Sequence, residues 1–346
     1  MQRGKVILAV LLSASALSAR SAHASECASA HFSPCFDANA LWLPAGRASF
    51  FSMPDTRVNA PAQLGFGAAG EFLHQPVVLH AASPDADGRE IEVLESAVDV
   101  SYFFALGLAR NLEASLLASM RVHQSGAGSG SIVSQSAPPL SHNAVRDPRL
   151  GIAYSFDEAL ALRGFGLRVA VDTTVPLSER DPFATERSFV VMPSATIGYQ
   201  HGALRLNAEL GVRLRRPVDF GGTRLGNQGF AAFGVAGIVV PGWLTLSAEV
   251  FGLPPLSDSR GSAASARVTS ARLFPAEWLA GVHSSFGTGG QWTWSVAAGG
   301  GFPLSNETRE SSNGPVTSYF LGMTTPDFRA LLSVRFTPSE LAVTPR

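Results

Sequence analysis

The sequence predicts an all-β fold: an antiparallel transmembrane β-barrel of about twelve strands, with short periplasmic turns and long outer loops. Three observations carry this reading. Residues 203–215 alternate, with Leu204, Leu206, Ala208, Leu210, Val212 and Leu214 on one face and Arg205, Asn207, Glu209, Gly211, Arg213 and Arg215 on the other. A period of two marks an extended strand with unlike faces. The run is long for a globular strand and suits a tilted membrane-crossing one. Similar runs recur along the chain, and the connections between them are alternately short and long.

The elements follow in order. Residues 1–24 read as a secretory signal peptide. Arg3 and Lys5 precede an apolar run from Val6 to Leu17, and Ala22-His23-Ala24 offers a small-x-small cleavage site. The run is too short for a membrane helix, and no later apolar run reaches about 18 residues. Glu26 before Cys27 is wrong for lipid attachment. Residues 25–60 read as an irregular periplasmic lead-in with Pro34, Pro44 and Pro54. Cys27 and Cys35, the only cysteines, are expected to form one local disulfide in an exported chain.

The barrel is expected over 61–337, with a short tail at 338–346. Its strands fall at 62–74, 94–108, 112–123, 149–156, 164–176, 189–200, 203–215, 226–240, 243–252, 276–286, 291–302 and 327–336. Short connections include Ala109-Arg110-Asn111, His201-Gly202 and Pro241-Gly242; long ones include 75–93, 124–148, 253–275 and 303–326. An even count places both barrel ends on the short-turn side. Tyr154, Phe156, Tyr199, Trp243, Trp278, Phe286, Trp292 and Trp294 lie near strand ends, as interfacial girdles do.

Several fragments carry a family resemblance. They include Leu41-Trp42-Leu43-Pro44-Ala45-Gly46, Phe51-Ser52-Met53-Pro54-Asp55, Arg146-Asp147-Pro148-Arg149-Leu150-Gly151 and the turn Leu106 to Glu113. The chain resembles the barrel half of OmpA-type outer-membrane proteins. Through Val175-Pro176-Leu177 it also resembles, more weakly, barrels grouped with aromatic-compound transporters. The aromatic Phe336 closing the last strand resembles the signal read by the outer-membrane assembly machinery. The resemblance implies an outer-membrane location in a Gram-negative bacterium, with membrane lipid and the barrel assembly machinery as partners. No peptidoglycan-binding OmpA domain is expected, because none follows residue 336 in this sequence.

Charge on the polar faces is the main functional clue. Glu71, Asp99, Glu113, Arg121, Arg168, Asp172, Arg205, Glu209, Arg213, Arg215, Glu249, Asp327, Arg329 and Arg335 are the candidate lumen-lining residues. An Arg facing lipid at the midplane costs about 2–4 kcal/mol, so this face must be interior. Such a lumen either filters small solutes through a narrow charged passage or is filled by mutually paired charges. Passage of small solutes is the leading expectation; a closed structural or adhesion barrel with partner-binding loops is the alternative.

Other chemistries find little support. Removal of the leader would leave 23 basic residues against 27 acidic ones, a net charge of −4, which is no footprint for nucleic acid. Lys5 is the only lysine. The region beyond the leader therefore offers no P-loop lysine, Schiff base or Ser-Lys dyad. Gly65-Phe66-Gly67-Ala68-Ala69-Gly70 matches a dinucleotide fingerprint, but no helix follows. Asp85-Ala86-Asp87-Gly88 lacks a full calcium ligand set. Ser141-His142-Asn143 are sequence neighbours, poorly placed to form a triad. Neither catalysis, cofactor nor metal is expected; an outer-membrane hydrolase is the remote third reading.

Overall fold

In the computed structural model, the described residues are 33–81, 89–128, 140–156, 164–177, 181–186, 188–220, 223–256, 275–287, 290–302 and 325–338. The strands are β1 (Leu64–Ala81), β2 (Arg89–Ala109), β3 (Leu112–Ser125), β4 (Ala144–Val145), β5 (Arg149–Ser155), β6 (Phe165–Thr174), β7 (Val191–His201), β8 (Leu204–Arg213), β9 (Val218–Phe220), β10 (Thr223–Leu225), β11 (Gln228–Val240), β12 (Leu244–Gly252), β13 (Ala276–Phe286), β14 (Trp292–Gly301) and β15 (Phe328–Phe336). Twelve of them form a closed antiparallel wall. Its order is β2-β1-β15-β14-β13-β12-β11-β8-β7-β6-β5-β3, closed by the pairing of β3 with β2. The two-residue β4 caps the upper part of β3, and β9 and β10 form a separate small hairpin. Closure leaves no free sheet edge, which is how a β structure survives in lipid.

The wall is inside-out relative to a soluble protein. Leu210, Ile152, Leu332, Ile197, Val171, Phe233 and Leu246 face outward and are exposed, Leu210 by 68%. Glu71, Asp99, Arg121, Glu209, Arg213, Glu249 and Arg329 are on the other face and buried. Leu210 lies mid-strand in β8, so Leu210→Arg should destabilise the protein in lipid vesicles by about 2–4 kcal/mol. Urea titration of folded vesicle-embedded protein measures this; an unchanged midpoint would mean the outer face does not meet acyl chains.

Aromatic rings gather at the short-turn end. Phe66, Trp292 and Phe336 form one cluster, with Phe286 stacked on Trp292. Tyr154 meets Phe156, and Phe165 meets Tyr199. Phe72 packs on Phe328 at the opposite end. This is the two-belt arrangement of a membrane-spanning barrel.

The main departure from the sequence reading concerns residues 25–60. The described part, 33–60, does not hang outside as a lead-in; it lies within the barrel. Phe36, Leu41, Leu43, Phe50, Phe51 and Met53 are buried there. The physical reason is the apolar load of this segment, which water would expose and the lumen covers. Its path begins at the long-loop end, where the Ser33 amide donates to the Asp219 carbonyl of β9 and the Phe183 amide donates to the Pro34 carbonyl. It reaches the short-turn end near Arg47, which donates to the Pro338 carbonyl at 2.9 Å. The described chain thus enters the barrel at the long-loop end, opposite to the side expected for it.

Wall composition fits this inner segment. A Cβ on Gly234 would lie 2.6 Å from Phe50 and 2.7 Å from Met53, and one on Gly281 would lie 2.5 Å from Phe51. Ala69, Ala232, Ala236 and Ala297 complete the same cluster. Small wall residues make the recesses that the rings occupy. A second apolar cluster closes the long-loop end, built from Phe36, Phe183 and Phe220 with Leu73, Val77, Val93 and Leu94 of the β1–β2 hairpin. The three rings meet edge to face at 5.4–5.6 Å.

Candidate functional site

The candidate site is the lumen with its inner segment. At the long-loop half, Arg329 of β15 binds both oxygens of Glu277 of β13 at 2.9 and 3.1 Å. Its third nitrogen donates to Glu71 of β1 and to the Asn39 side-chain oxygen, both at 2.9 Å. The Asn39 amide in turn donates to Glu71 and to Asp99 of β2, each at 3.0 Å. Arg121 of β3 holds Asp99 through two contacts at 2.7 and 3.2 Å and donates to the Phe183 carbonyl. Arg146 joins Asp37 at 2.6 Å to Asp99 at 3.2 Å. Two wall cations, Arg146 of the β4–β5 connection and three wall acids thus converge on Asp37 and Asn39 of the inner segment. Paired and hydrogen-bonded, these buried charges are tolerable; singly they would not be.

Lower in the barrel, the contacts run to backbone. Glu249 of β12 accepts the amides of Phe51 and Ser52 at 2.8 and 2.7 Å and the Ser52 hydroxyl at 2.5 Å. Glu113 of β3 accepts the Asn59 amide at 2.9 Å. Arg335 of β15 donates to the carbonyls of Gly46 and Pro44 and lies over the Phe103 ring at 4.4 Å. Arg205 reaches the Ser49 hydroxyl, and Asn207 donates to the Pro54 carbonyl. His283 stacks on Phe51 at 4.9 Å between the hydroxyls of Ser247 and Ser295.

The remaining candidates are placed as follows. Arg168, Asp172 and Glu209 line a cavity beside Trp42 with Arg149. Arg213 donates to the Ala40 carbonyl at 2.9 Å. Arg215 pairs with Glu186 of the β6–β7 connection. Asp327 is the exception: it is exposed at the rim, because it precedes β15 rather than lying within it, and its amide donates to the His74 carbonyl within β1. The expected lumen-lining role of Asp327 is therefore corrected. Cys35 is disulfide-bonded; Cys27, the only other cysteine, lies outside the described residues.

Sequence reading missed Asp37, Asn39, Arg146, Arg149, Glu186 and Glu277. Arg149 and Glu277 were legible, since each neighbours an outward residue, Leu150 and Trp278, in an alternating run. Asp37 and Asn39 carry no pattern, because their partners are distant in sequence. Among the described residues no group of His, Cys, Asp and Glu is arranged to hold a metal ion.

Outside the wall, Asp147 anchors the β6–β7 connection by accepting the amides of Leu177 and Glu186 at 2.9 and 2.7 Å. Burial pushes its carboxyl up to about 7, with Asp37 and Asp181 adding to the rise and the Leu177 amide and Arg146 opposing it. An acid raised in the folded state contributes stability that is full below its unfolded pKa and lost as pH rises through its folded one. The stability that protonated Asp147 lends the β6–β7 connection should therefore fall as pH rises from the ordinary carboxylate range to about 7 and level off above it, although the Leu177 and Glu186 amide bonds themselves favour the ionised carboxylate. Hydrogen exchange across that range checks this, and Asp147→Asn should flatten the dependence.

No protein-family model matches the chain, and no curated protein does. Among solved structures the chain is similar to the COG4313 outer membrane channel from Pseudomonas putida F1, at 13% identity over 82% of this chain and 97% of that one, with a TM-score of 0.56. The fold is that of an outer-membrane β-barrel. LpxR from Salmonella typhimurium (10% identity, 79% and 100% covered, TM-score 0.37) and the translocator domain of the autotransporter NalP from Neisseria meningitidis (9%, 80% and 89%, 0.37) are also similar, more distantly. The likeness to the COG4313 channel supports the barrel fold, not specifically the OmpA-type relation that the short motifs suggested.

Proposed function

We propose that this chain is a Gram-negative outer-membrane channel, exported by the leader 1–24, inserted by the barrel assembly machinery and bound by membrane lipid. Its lumen passes small solutes as far as the inner segment allows. It works by passage rather than catalysis. The observation that carries this reading is the manner of filling. Residues 33–60 occupy the lumen, yet much of their hold is polar, and charged cavities remain beside them. One is lined by Asp37, Glu71, Arg146, Arg149 and Glu186. Another is lined by Arg149, Arg168, Asp172 and Glu209. Polar contacts of this kind are exchangeable for water or solute, whereas an apolar core is not.

The test is planar-bilayer recording of the full chain. Small stepwise openings are expected, and Arg168→Gln should shift the reversal potential toward cations. The second reading, a closed structural barrel with partner-binding loops, draws on the apolar seal of Phe36, Phe183 and Phe220 at the long-loop mouth. Silence from both the full chain and a form lacking the inner segment would favour it.

A further inference from the structure

The charged groups of the lumen are of two kinds. Near the long-loop mouth opposite charges touch, Arg329 on Glu277 and Arg121 on Asp99, at 2.7–3.2 Å. Around the cavity lined by Arg149, Arg168, Asp172 and Glu209 they stand apart. Arg149, Arg168 and Glu209 are each more than nine-tenths buried. Arg149 comes no nearer to Asp172 than 3.9 Å, too far for a hydrogen bond. Among the described residues, Arg168 and Glu209 have no ion-pair partner within 4 Å. The register of the wall keeps these two separate. Arg168 of β6 lies opposite Thr196 of β7, which lies opposite Glu209 of β8. Two strand spacings, about 10 Å, divide the two backbones. The Thr196 hydroxyl between them is buried and has no hydrogen-bond partner among the described residues. Opposite charges that are buried yet held apart do not repay the cost of their own desolvation.

We propose that this cavity is a binding site for a small zwitterion of the α-amino acid class. Arg168 and Arg149 take its carboxylate, and Glu209 and Asp172 take its ammonium group. A lone anion would satisfy the arginines but face two acids, and a lone cation would face two arginines. A molecule carrying both signs a few ångströms apart bridges the gap and compensates both sets at once. Pro44, Ala45, Ser52 and Pro54 of the inner segment close the cavity on its inner side, so the ligand is small. This rests on the channel reading and names a solute class for it, but binding is measured without conduction. A failed titration leaves passage standing, and a silent bilayer leaves the binding site standing.

The experiment titrates the full-length protein in detergent at neutral pH with L-alanine by calorimetry. Propionate and isopropylammonium, which each keep one of the two charges on a similar carbon frame, are the comparison ligands. Alanine should bind saturably, and both single-charge ligands at least about tenfold more weakly. Glu209→Gln should weaken alanine by about tenfold and strengthen propionate, so that their order reverses. Arg168→Gln should do the same in favour of isopropylammonium. A purely structural role for either residue would weaken all three ligands alike. Arg216→Gln, at an exposed arginine outside the cavity, should change nothing. Heat-dependent mobility on gels confirms that each variant is a folded barrel. The proposal is overturned if alanine does not saturate, if the three ligands bind the unsubstituted protein alike, or if neither Glu209→Gln nor Arg168→Gln changes their order. In those cases the four charges only line a water-filled space.

Discussion

Replacing Arg329 with glutamine should cost about 3–5 kcal/mol of stability, the largest single effect expected in this chain. Arg329 is fully buried and makes four hydrogen bonds, two to Glu277, one to Glu71 and one to Asn39. Its removal leaves two buried carboxylates facing the lumen with no cation between them. A glutamine side chain is shorter and neutral, and can satisfy at most part of one of them. The loss is a property of the pair rather than of the arginine alone. A triple variant, Arg329→Leu with Glu71→Gln and Glu277→Gln, removes charge from all three and should regain most of the stability. Urea unfolding in lipid vesicles, followed by tryptophan emission, measures both. A single-variant loss below about 1 kcal/mol would place this network in a solvated setting.

The second large effect concerns conduction. Deleting residues 36–58 should raise single-channel conductance at least severalfold. Every rung of the twelve-strand wall runs between strands, so the wall closes without the inner segment. The deletion removes the rings seated at Gly234 and Gly281 and the groups that fill the space among Glu71, Asp99, Arg213 and Glu249. What remains is a lumen of intermediate size lined by charge. An eight-stranded barrel is filled by its own side chains and a sixteen-stranded one is open, so the contents of a twelve-stranded lumen decide whether it conducts. Bilayer recording of the deleted and full-length forms, each shown to be folded by heat-dependent mobility, gives the comparison. Equal conductance would mean that the segment does not obstruct the path.

The wall was largely legible in the sequence, and the reason is local. In β8 the alternation of Leu204, Leu206 and Leu210 with Arg205, Asn207 and Glu209 declares both strand and faces, and the strand is found at Leu204–Arg213. Tight turns at His201-Gly202 and Pro241-Gly242 fixed the hairpins on one side, with Gly202 and Gly242 both at positive φ. The outer halves of β1 and β2 were missed because the phase breaks there. Gln75 adopts φ 49°, and the register shifts between His74 and Val78. The bend carries Val77, Val93 and Leu94 over the mouth, so they no longer alternate between lipid and lumen. The β9–β10 hairpin is too short, at three residues per strand, to show a period.

The inner segment was not legible as such. Its prolines and lack of alternation read as irregular chain, which is correct, and the irregular chain was then placed outside. Two signals argued otherwise. A structureless run of this length is unusual unless it is functional. Phe36, Leu41, Trp42, Leu43, Phe50, Phe51 and Met53 are also a heavy apolar load for a segment in water. The cost of exposing charge to lipid sends the lining charges to the lumen wherever they lie within strands. Asp327 stands at the rim, where no lipid cost applies, and stays exposed.

Proximity of the inner segment to the wall is the measurement on which the account turns. In a background with Cys27→Ser and Cys35→Ser, Ser52→Cys and Glu249→Cys place one thiol on the segment and one on β12, where the native side chains meet at 2.5 Å. A short bis-methanethiosulfonate reagent should join them within the folded, vesicle-embedded barrel, and should fail to join Ser52→Cys to a thiol at Leu210 on the outer face. If the Ser52–Glu249 pair does not link while the barrel is folded, residues 33–60 do not occupy the lumen.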